Sequence, residues 1–341
     1  MKRKFLSVLK YVFFLGLGIF LVWWQFDKMT KEQYAQFRSS LNNANFWLFF
    51  PVIIMALLSH LSRAVRWKIL IEPMGYKPST ANTFYSVMCG LLVNTFVPRA
   101  GEILKCTLLN RYEKIPTNKL IGTILVERTF DLICYFIFIV ITILIQINYV
   151  NSFVKKKFSQ MADNNKGSLI WINLLLVIII ILITILFLRW LVKRFAQHRY
   201  IISLKGFHIG LKEGFKTIAH LKKRGWFIFH TIFIWTMYLL QIHIGFSVLS
   251  ATSHLGIAEA CSVLSLATLG MIVSPGGIGA FPLAVQEVLL IYNVDNVSFG
   301  WLMWGVATAI IVVVGLICFG LLIYKNKRLN ETKQTNIAET I

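Results

Sequence analysis

The stretch "NTFVPRAGEILKC", residues 94–106, decides the fold. It interrupts an apolar run with Pro98, and the charged residues Arg99, Glu102 and Lys105 follow closely. A charge near the centre of a bilayer costs ~2.5–3.5 kcal/mol or more on insertion scales, and proline breaks a helix. An ordinary membrane-spanning helix does not contain such a stretch, so the backbone needs a different arrangement here.

The composition of the whole chain is that of a membrane protein. Of its 341 residues, 57% are hydrophobic and only 14% are charged, against ~25% charged in a typical soluble domain. The apolar residues cluster into runs close to the ~20 residues that span a bilayer. These observations predict an all-α polytopic membrane protein, with a single integral membrane domain over residues 1–341, and exclude a water-soluble globule.

Six apolar runs are long enough to be full spans. We place them at about 9–26, 44–62, 118–147, 169–190, 226–250 and 298–324. The first run follows a basic start and ends in Trp23 and Trp24 without a small-residue cleavage pattern. We therefore interpret it as an uncleaved span and not as a signal peptide.

The basic residues predict the orientation. The net charge is +21, from 35 basic and 14 acidic residues. Most Lys and Arg residues lie at the N-terminus, at 63–80, at 111–119, in a connector at 193–224 and in a tail at 325–341. Because basic loops stay in the cytosol, we expect both termini there. Short basic segments between apolar runs suit anionic membrane lipids as partners, and we expect no nucleic acid.

Two further apolar segments are interrupted before they can cross. Segment 81–112 breaks at "VPRAGE" and segment 256–292 breaks at "SPGGIGAFP". Their return arms are too short to span a bilayer. We predict two re-entrant helical hairpins, one entering from the cytosol and one from outside; the alternative is eight plain spans. Residues 44–147 and 226–324 then form half-repeats of opposite orientation, an inverted repeat that is typical of transporters.

The two breaks are candidate binding sites. Irregular backbone at membrane depth must be buried in protein or line a water-filled cavity. A helix that starts after each break would direct free N–H groups and its positive dipole end at that cavity, which suits a phosphate. The candidate substrate-binding or transport residues of the breaks are Pro98, Arg99, Gly101, Glu102, Lys105, Pro275, Gly276, Gly277 and Gly279.

Three charged residues of the third span extend this candidate site. Glu127, Arg128 and Asp131 lie within about one helical turn. Two carboxylates and a single Arg leave one acid in need of a partner, which Arg99 or Lys105 could supply. Arg offers bidentate geometry to a phosphate, so Arg99 and Arg128 are the predicted phosphate contacts. The alternative is an ion-pair network that only pins the first hairpin to this span.

The arginines after the second span and the aromatic residues are expected to lie at the membrane surface or against lipid. Arg63 and Arg66 follow the predicted end of the second span, and we expect them at a cytosolic mouth; interfacial anchoring is the alternative. The many Trp and Phe residues are interpreted as interfacial or lipid-facing. The sequence has no nucleotide, zinc-protease or serine-hydrolase motif. We therefore expect no catalytic residues, no metal and no cofactor, and a transporter in place of an enzyme.

In combination, "NTFVPRAGEILKCTLLNR", "VERTFDL" and "SPGGIGAF" resemble the lysylphosphatidylglycerol synthase transmembrane-region family, also described as flippase-like or UPF0104 membrane proteins. The resemblance covers roughly residues 10–325 and adds Asn94 to the candidate site. Many members carry an acid soon after the glycines. This chain instead has Phe281, Pro282 and Leu283 there, and Glu287 is the nearest acid.

The resemblance implies translocation of lipids or lipid-linked headgroups between the leaflets of a bacterial inner (plasma) membrane. Larger relatives carry a cytosolic synthetase domain, and no soluble segment of this sequence is long enough for one. We therefore expect a flippase-like transporter of a modified phospholipid or a polyprenyl-phosphate sugar. The alternative is a non-transporting scaffold subunit for an enzyme of envelope lipid or glycan biosynthesis. The oligomeric state stays open.

Overall fold

The structure, a computed structural model, describes residues 16, 18–97, 99–146 and 221–338, with side chains up to 325. These residues form helices joined by short turns, and none of them lies in a strand. The prediction of an all-α polytopic membrane protein is confirmed. Pro98, the predicted span at 169–190 and most of the connector at 193–224 lie outside the described residues.

The described helices follow one another in this order. They are α1 (18–27), α2 (Lys31–Asn42), α3 (Phe49–Ile71), α4 (Thr80–Phe96), α5 (Ala100–Glu113), α6 (Thr117–Ile145), α7 (Arg224–Phe246), α8 (Ile257–Val273), α9 (Ala280–Ile291) and α10 (Val297–Ala338). Single 3₁₀ turns lie at Phe46–Leu48, Glu72–Met74 and Pro275–Gly277.

Four of the described helical segments are long and apolar enough to cross a membrane. They are Phe46–Met74, Thr117–Ile145, Arg224–Phe246 and Val297–Lys325, and they correspond to four of the predicted spans. The helix of the second predicted span continues past residue 62 to Ile71. The predicted spans at 9–26 and 169–190 lie partly and wholly outside the described residues.

The two interrupted segments fold into helical hairpins. In the first hairpin, Asn82 near the start of α4 donates a hydrogen bond to Glu113 at the end of α5. In the second, the Tyr292 hydroxyl just after α9 donates to Ser262 near the start of α8 over 2.8 Å. Each hairpin is therefore antiparallel. The arms have 17 and 14 residues in the first hairpin and 17 and 12 in the second, all shorter than the ~20 residues of a full span.

Proline explains where the first arm of each hairpin ends. Val97 precedes Pro98 and has extended torsions, φ −128° and ψ 101°. Ser274 precedes Pro275 and is also extended, with φ −123° and ψ 152°. A proline ring disfavours the helical conformation at the residue before it. The same local cause therefore terminates α4 and α8.

Close approach between the arms closes the first hairpin. A Cβ atom on Gly101 would lie 1.8 Å from the carbonyl oxygen of Gly90, which is far inside van der Waals contact. Asn94 adds a hydrogen bond of 2.8 Å, because its Oδ1 accepts from the Gly101 N–H. This N–H belongs to the first turn of α5, where no intrahelical acceptor exists. Small residues and one side-chain cap thus hold α4 against α5.

The ends of the two hairpins meet each other. A Cβ atom on Gly276 would lie 2.8 Å from the Thr95 carbonyl oxygen, so the second break packs directly on the last turn of α4. The Gly276 carbonyl in turn accepts a hydrogen bond of 2.8 Å from Trp304 Nε1 on α10. The second break therefore lies directly against the end of the first hairpin arm. The half-repeats at 44–147 and 226–324 stay a prediction.

Helices α3 and α7 pack side by side in opposite directions. Near one end Asn45 N donates to the Val248 carbonyl over 2.9 Å, and further along Ser62 Oγ lies 2.8 Å from His230 Nδ1. The described chain divides into two units, Met1–Glu127 with Ala219–Ile341, and Arg128–Ile218. All hairpin contacts given above belong to the first unit.

The Gly101 contact gives a prediction about stability. Gly101→Ala should lower the free energy of unfolding by at least ~1–3 kcal/mol, because the new methyl group forces α5 away from α4. Gly122→Ala is the matched control, since a Cβ atom there meets nothing within 4 Å. The control should be neutral or stabilising by up to ~1 kcal/mol through helix propensity. Unfolding in detergent measures both, and equal midpoints for the two variants would contradict the packing.

Candidate functional site

A buried group of three charged side chains lies where α3, α5 and α6 meet. Lys105 Nζ is 2.9 Å from Glu127 Oε2, and Arg66 Nη2 is 3.4 Å from Glu127 Oε1. The side chains of Arg66 and Glu127 are fully buried, and that of Lys105 is 7% exposed. Arg66, Lys105 and Glu127 are referred to below as the ion cluster.

The hairpin determines the position of Lys105. Gly101, Lys105 and Leu109 are spaced four residues apart on α5, and all three are buried. Side chains with this spacing share one face of a helix. Because Gly101 brings that face against α4, Lys105 is directed into the protein and not towards lipid.

An aromatic and hydroxyl shell surrounds the ion cluster. The Lys105 ammonium lies 4.5 Å from the centroid of the Trp67 ring, which attracts it electrostatically. Trp67 is held in turn by a hydrogen bond of 2.9 Å from its Nε1 to Thr123 Oγ1. Arg66 Nη1 donates to Thr231 Oγ1 on α7 over 3.2 Å. The cluster therefore connects four helices.

Arg63 lies one turn before Arg66 on α3 and is half-buried. Its Nη2 donates a hydrogen bond of 2.7 Å to the Tyr238 hydroxyl on α7. With Ser59, Ser62 and Arg66, it forms a polar stripe along α3 at helical spacing. This stripe faces the protein interior, since Ser59, Ser62 and Arg66 are all buried.

Burying charged side chains away from water costs free energy. Moving ions out of water costs several kcal/mol each, and mutual attraction compensates only with good geometry and further hydrogen bonds. The Glu127 carboxylate meets that condition by contacting both cations with its two oxygens. Ionisable residues within membrane helices are rare and mark substrate or ion pathways, so the ion cluster is a functional candidate and not only a structural one.

The structure brings some of the predicted site residues together. Lys105 pairs with Glu127, as the sequence predicted for one of the two hairpin cations. Asn94 caps α5 through Gly101. Glu102 is half-buried on the first turn of α5, and Arg99 is exposed at the break itself.

Arg66 is fully buried and bonded to Glu127. It lies inside α3, which runs to Ile71. Its predicted place at a cytosolic mouth, like that of Arg63, stays a prediction. Arg128 and Asp131 belong to the second unit, and their predicted roles stay predictions.

Arg99 has an unusual backbone conformation. Its φ is 67°, in the left-handed region, where a residue with a Cβ atom is disfavoured by ~1–2 kcal/mol. In the second break Gly276 follows Pro275 and has φ 57°, which glycine adopts without this cost. The first break instead has a cation with positive φ. Strain of this kind concentrates at functional sites.

The second break carries no charge. Pro275, Gly277 and Gly279 are buried and Gly276 is half-buried. Glu287, the nearest acid after the glycines, is exposed on α9.

The aromatic shell of the ion cluster was not predicted from the sequence. Trp67 and Phe227 were expected to face lipid or the interface, but both are fully buried. Arg66 lies 5.8 Å from the centroid of the Phe227 ring. A signal was present in the polar stripe on α3, because serines and arginines at spacings of three and four indicate an inward polar face.

These features define a polytopic helical membrane protein with two broken hairpins and a buried ion cluster. The chain belongs to the family described as the lysylphosphatidylglycerol synthase TM region, whose sequence model matches residues 7–315. This confirms the resemblance drawn from the sequence motifs.

A curated relative and the solved structures complete the comparison. The chain is similar to the UPF0104 membrane protein MJ1595 of Methanocaldococcus jannaschii, with 26% identity over 140 residues. That match covers 40% of this chain and 38% of the relative, so it spans well under half the length of either protein. No solved structure matches the chain.

The ion cluster gives a prediction about charge burial. Glu127→Gln should destabilise the protein by about 3–5 kcal/mol, because it leaves Lys105 and Arg66 buried without their shared carboxylate. Glu72→Gln is the control, since the half-buried Glu72 pairs over 2.8 Å with Lys223, whose side chain is exposed. Such pairs contribute ~0–1 kcal/mol. Unfolding in detergent gives both values, and a Glu127→Gln variant as stable as the control would show that the cluster is not held by this carboxylate.

The torsions of Arg99 give a second prediction. Arg99→Gly should raise the free energy of unfolding by about 1 kcal/mol, because glycine adopts the left-handed region freely. Arg111→Gly is the control; Arg111 is exposed inside α5, where glycine should destabilise by ~1 kcal/mol. Opposite signs for the two variants support a strained Arg99, and a loss of stability in both would count against it.

Proposed function

We propose that this protein moves a phosphate-bearing amphiphile between the leaflets of a bacterial inner membrane, and that it does so as a transporter and not as an enzyme. The candidate substrates are a modified phospholipid or a polyprenyl-phosphate-linked sugar. In this proposal the phosphate contacts the ion cluster during transfer, and both termini of the chain lie in the cytosol.

The observation that carries the proposal is the position of Lys105. A flexible cation on a hairpin arm lies between a carboxylate at 2.9 Å and an aromatic ring at 4.5 Å. An ammonium has three donors and rotates freely among acceptors. A lipid phosphate could therefore take over the contact with Lys105 while Arg66 keeps Glu127 compensated.

The two breaks support the proposal independently. Many transporters build their sites from broken helices of inverted repeats, at the depth where the broken ends meet. Here the second break contacts the last turn of α4 through Gly276 and Thr95. Irregular backbone at that depth is tolerated where it is buried in protein or lines a cavity, which is compatible with a headgroup path beside it.

Membership of the family is consistent with the proposal without naming a substrate. The family description refers to the membrane region of a synthase, and the curated relative is described only as a membrane protein. The competing hypothesis is a scaffold subunit that binds an envelope-biosynthesis enzyme, with an ion cluster that only stabilises the fold.

Reconstitution distinguishes the two hypotheses. Purified protein in liposomes should speed the loss of fluorescence when dithionite quenches a labelled lipid of the outer leaflet, for at least one phospholipid or polyprenyl-phosphate probe. Lys105→Met should slow transfer by ~10–100-fold, as expected for the loss of one charge-assisted hydrogen bond of ~1.5–3 kcal/mol. Lys68→Met is the control, because Lys68 bonds only Thr80 among the described residues.

A paired substitution separates function from folding. Lys105→Met with Glu127→Gln removes one positive and one negative charge together, so Arg66 loses a partner but the cluster keeps its net charge. If this double variant is folded and inactive, the cluster handles substrate. If it is folded and transfers lipid at the rate of the unchanged protein, the cluster is structural. No acceleration by the unchanged protein with any probe would favour the scaffold.

A further inference from the structure

A second polar site lies between α1, α9 and α10, apart from the ion cluster. Gln25 on α1 is 5% exposed, and its Nε2 donates a hydrogen bond of 2.8 Å to Gln286 Oε1 on α9. Phe26, the next residue of α1, lies 5.3 Å from Trp301 of α10 between ring centroids. Gln25, Phe26, Gln286 and Trp301 are referred to below as the glutamine junction.

Two buried atoms of the glutamine junction lack a hydrogen-bond partner. Within the described ranges, neither Gln25 Oε1 nor Trp301 Nε1 contacts a donor or acceptor. Buried polar groups are nearly always satisfied, and each exception needs an explanation. The orphans are of opposite kinds, since Oε1 accepts and the indole N–H donates.

The chemistry of these atoms restricts what could satisfy them. A phosphate or carboxylate offers only acceptors and an ammonium offers only donors, so neither meets both needs. A hydroxyl both donates and accepts, and it also fits if the Gln25 amide is turned the other way. None of the four side chains is charged, which favours an uncharged, hydroxyl-bearing group.

The aromatic side chains add a preference for sugars. Phe26 is exposed beside Trp301, and Trp301 makes an edge-to-face contact with Trp304, with ring centroids 5.7 Å apart. Aromatic faces carry negative charge, so they attract the weakly positive C–H groups of a hexose face. Two orphaned polar atoms next to one exposed and two half-buried aromatic rings are therefore better suited to a sugar than to a simple alcohol.

We propose that the glutamine junction binds the sugar of a glycosylated lipid, with Gln25 and Trp301 as the hydrogen-bonding residues. The inference deepens the proposed function, because it rests on a lipid as the transported molecule and names part of its headgroup. Trp304 connects this junction to the hairpin break, since it also donates to the Gly276 carbonyl over 2.8 Å.

Binding of a glucolipid tests the inference. The full chain in nanodiscs is titrated with monoglucosyldiacylglycerol, and with a 3-acetylated diacylglycerol of the same acyl chains, which has no hydroxyl group. Native mass spectrometry counts the bound lipid. The unchanged protein should prefer the glucolipid, and Gln25→Leu and Trp301→Phe should each lower that preference about tenfold. Trp301→Phe keeps an aromatic ring and so preserves most of the packing.

Gln241→Leu is the matched control, because Gln241 bonds the Met237 carbonyl within α7 and should keep the preference. Gln25→Leu should unfold at the midpoint of the unchanged protein or above it, since it also removes an orphaned acceptor. If Gln25→Leu lowers the unfolding midpoint but leaves glucolipid binding unchanged, the hydrogen bond of Gln25 to Gln286 only stabilises the fold. Equal preference in the unchanged protein and both junction variants would mean that the junction holds water only, and no preference at all would also overturn the inference.

The outcome is separable from that of the proposed function. Transfer of a labelled phospholipid or polyprenyl-phosphate probe by the unchanged protein tests the transporter, and glucolipid binding in nanodiscs tests the junction. Transfer without glucolipid preference removes the sugar site alone. Glucolipid preference without any transfer leaves a lipid-binding site on a protein that is not a transporter.

Discussion

The carboxylate of Glu127 is the contact on which the central part of this protein depends. It compensates Lys105 from the hairpin arm α5 and Arg66 from the span α3, and both cations are buried. Without it, two charges would lie in an apolar interior at a cost of several kcal/mol each. Lys105 reaches Glu127 from the same helix that packs against Gly90 through Gly101.

In the proposed transport, a site of this kind is both stable and open to exchange of a partner. Ion pairs in apolar surroundings are strong as long as every member is satisfied, and an incoming anion can replace one partner without leaving a charge alone. Lys105 is the member best placed for exchange, since Trp67 and Glu127 both contact its ammonium group. The Trp67 ring continues to attract the Lys105 ammonium during such an exchange, because a cation–π contact needs no counter-ion.

Much of the architecture was predictable from local chemistry. Proline disfavours helix at the preceding residue, and Val97 and Ser274 are both extended where the first arms end. The breaks, the short return arms and the pairing of a hairpin cation with Glu127 followed from the sequence. The contact of Arg66 with Glu127 did not, because the two residues are 61 positions apart in the chain. Such long-range pairing has no signature at the position itself.

The surroundings of the site were also beyond the sequence. Buried and lipid-facing aromatic residues look alike in a chain that is apolar on every side, so Trp67 and Phe227 could not be assigned. The contact of Gly276 with Thr95 depends on how the hairpins dock. The same holds for the glutamine junction. The sequence does not predict that Gln25 and Gln286 are partners, and the structure shows the hydrogen bond between them.

The central claim is that a lipid phosphate contacts Lys105, and solid-state NMR measures this contact directly. With ¹⁵N-labelled lysine in anionic bilayers, the ³¹P dephasing of the Lys105 signal reports its distance to phosphorus, and the difference from a Lys105→Met sample isolates that signal. We predict dephasing that corresponds to a charge-assisted hydrogen bond, with nitrogen and oxygen ~2.7–2.9 Å apart. A Lys105 signal without dephasing, in a sample that transfers lipid, would contradict the account.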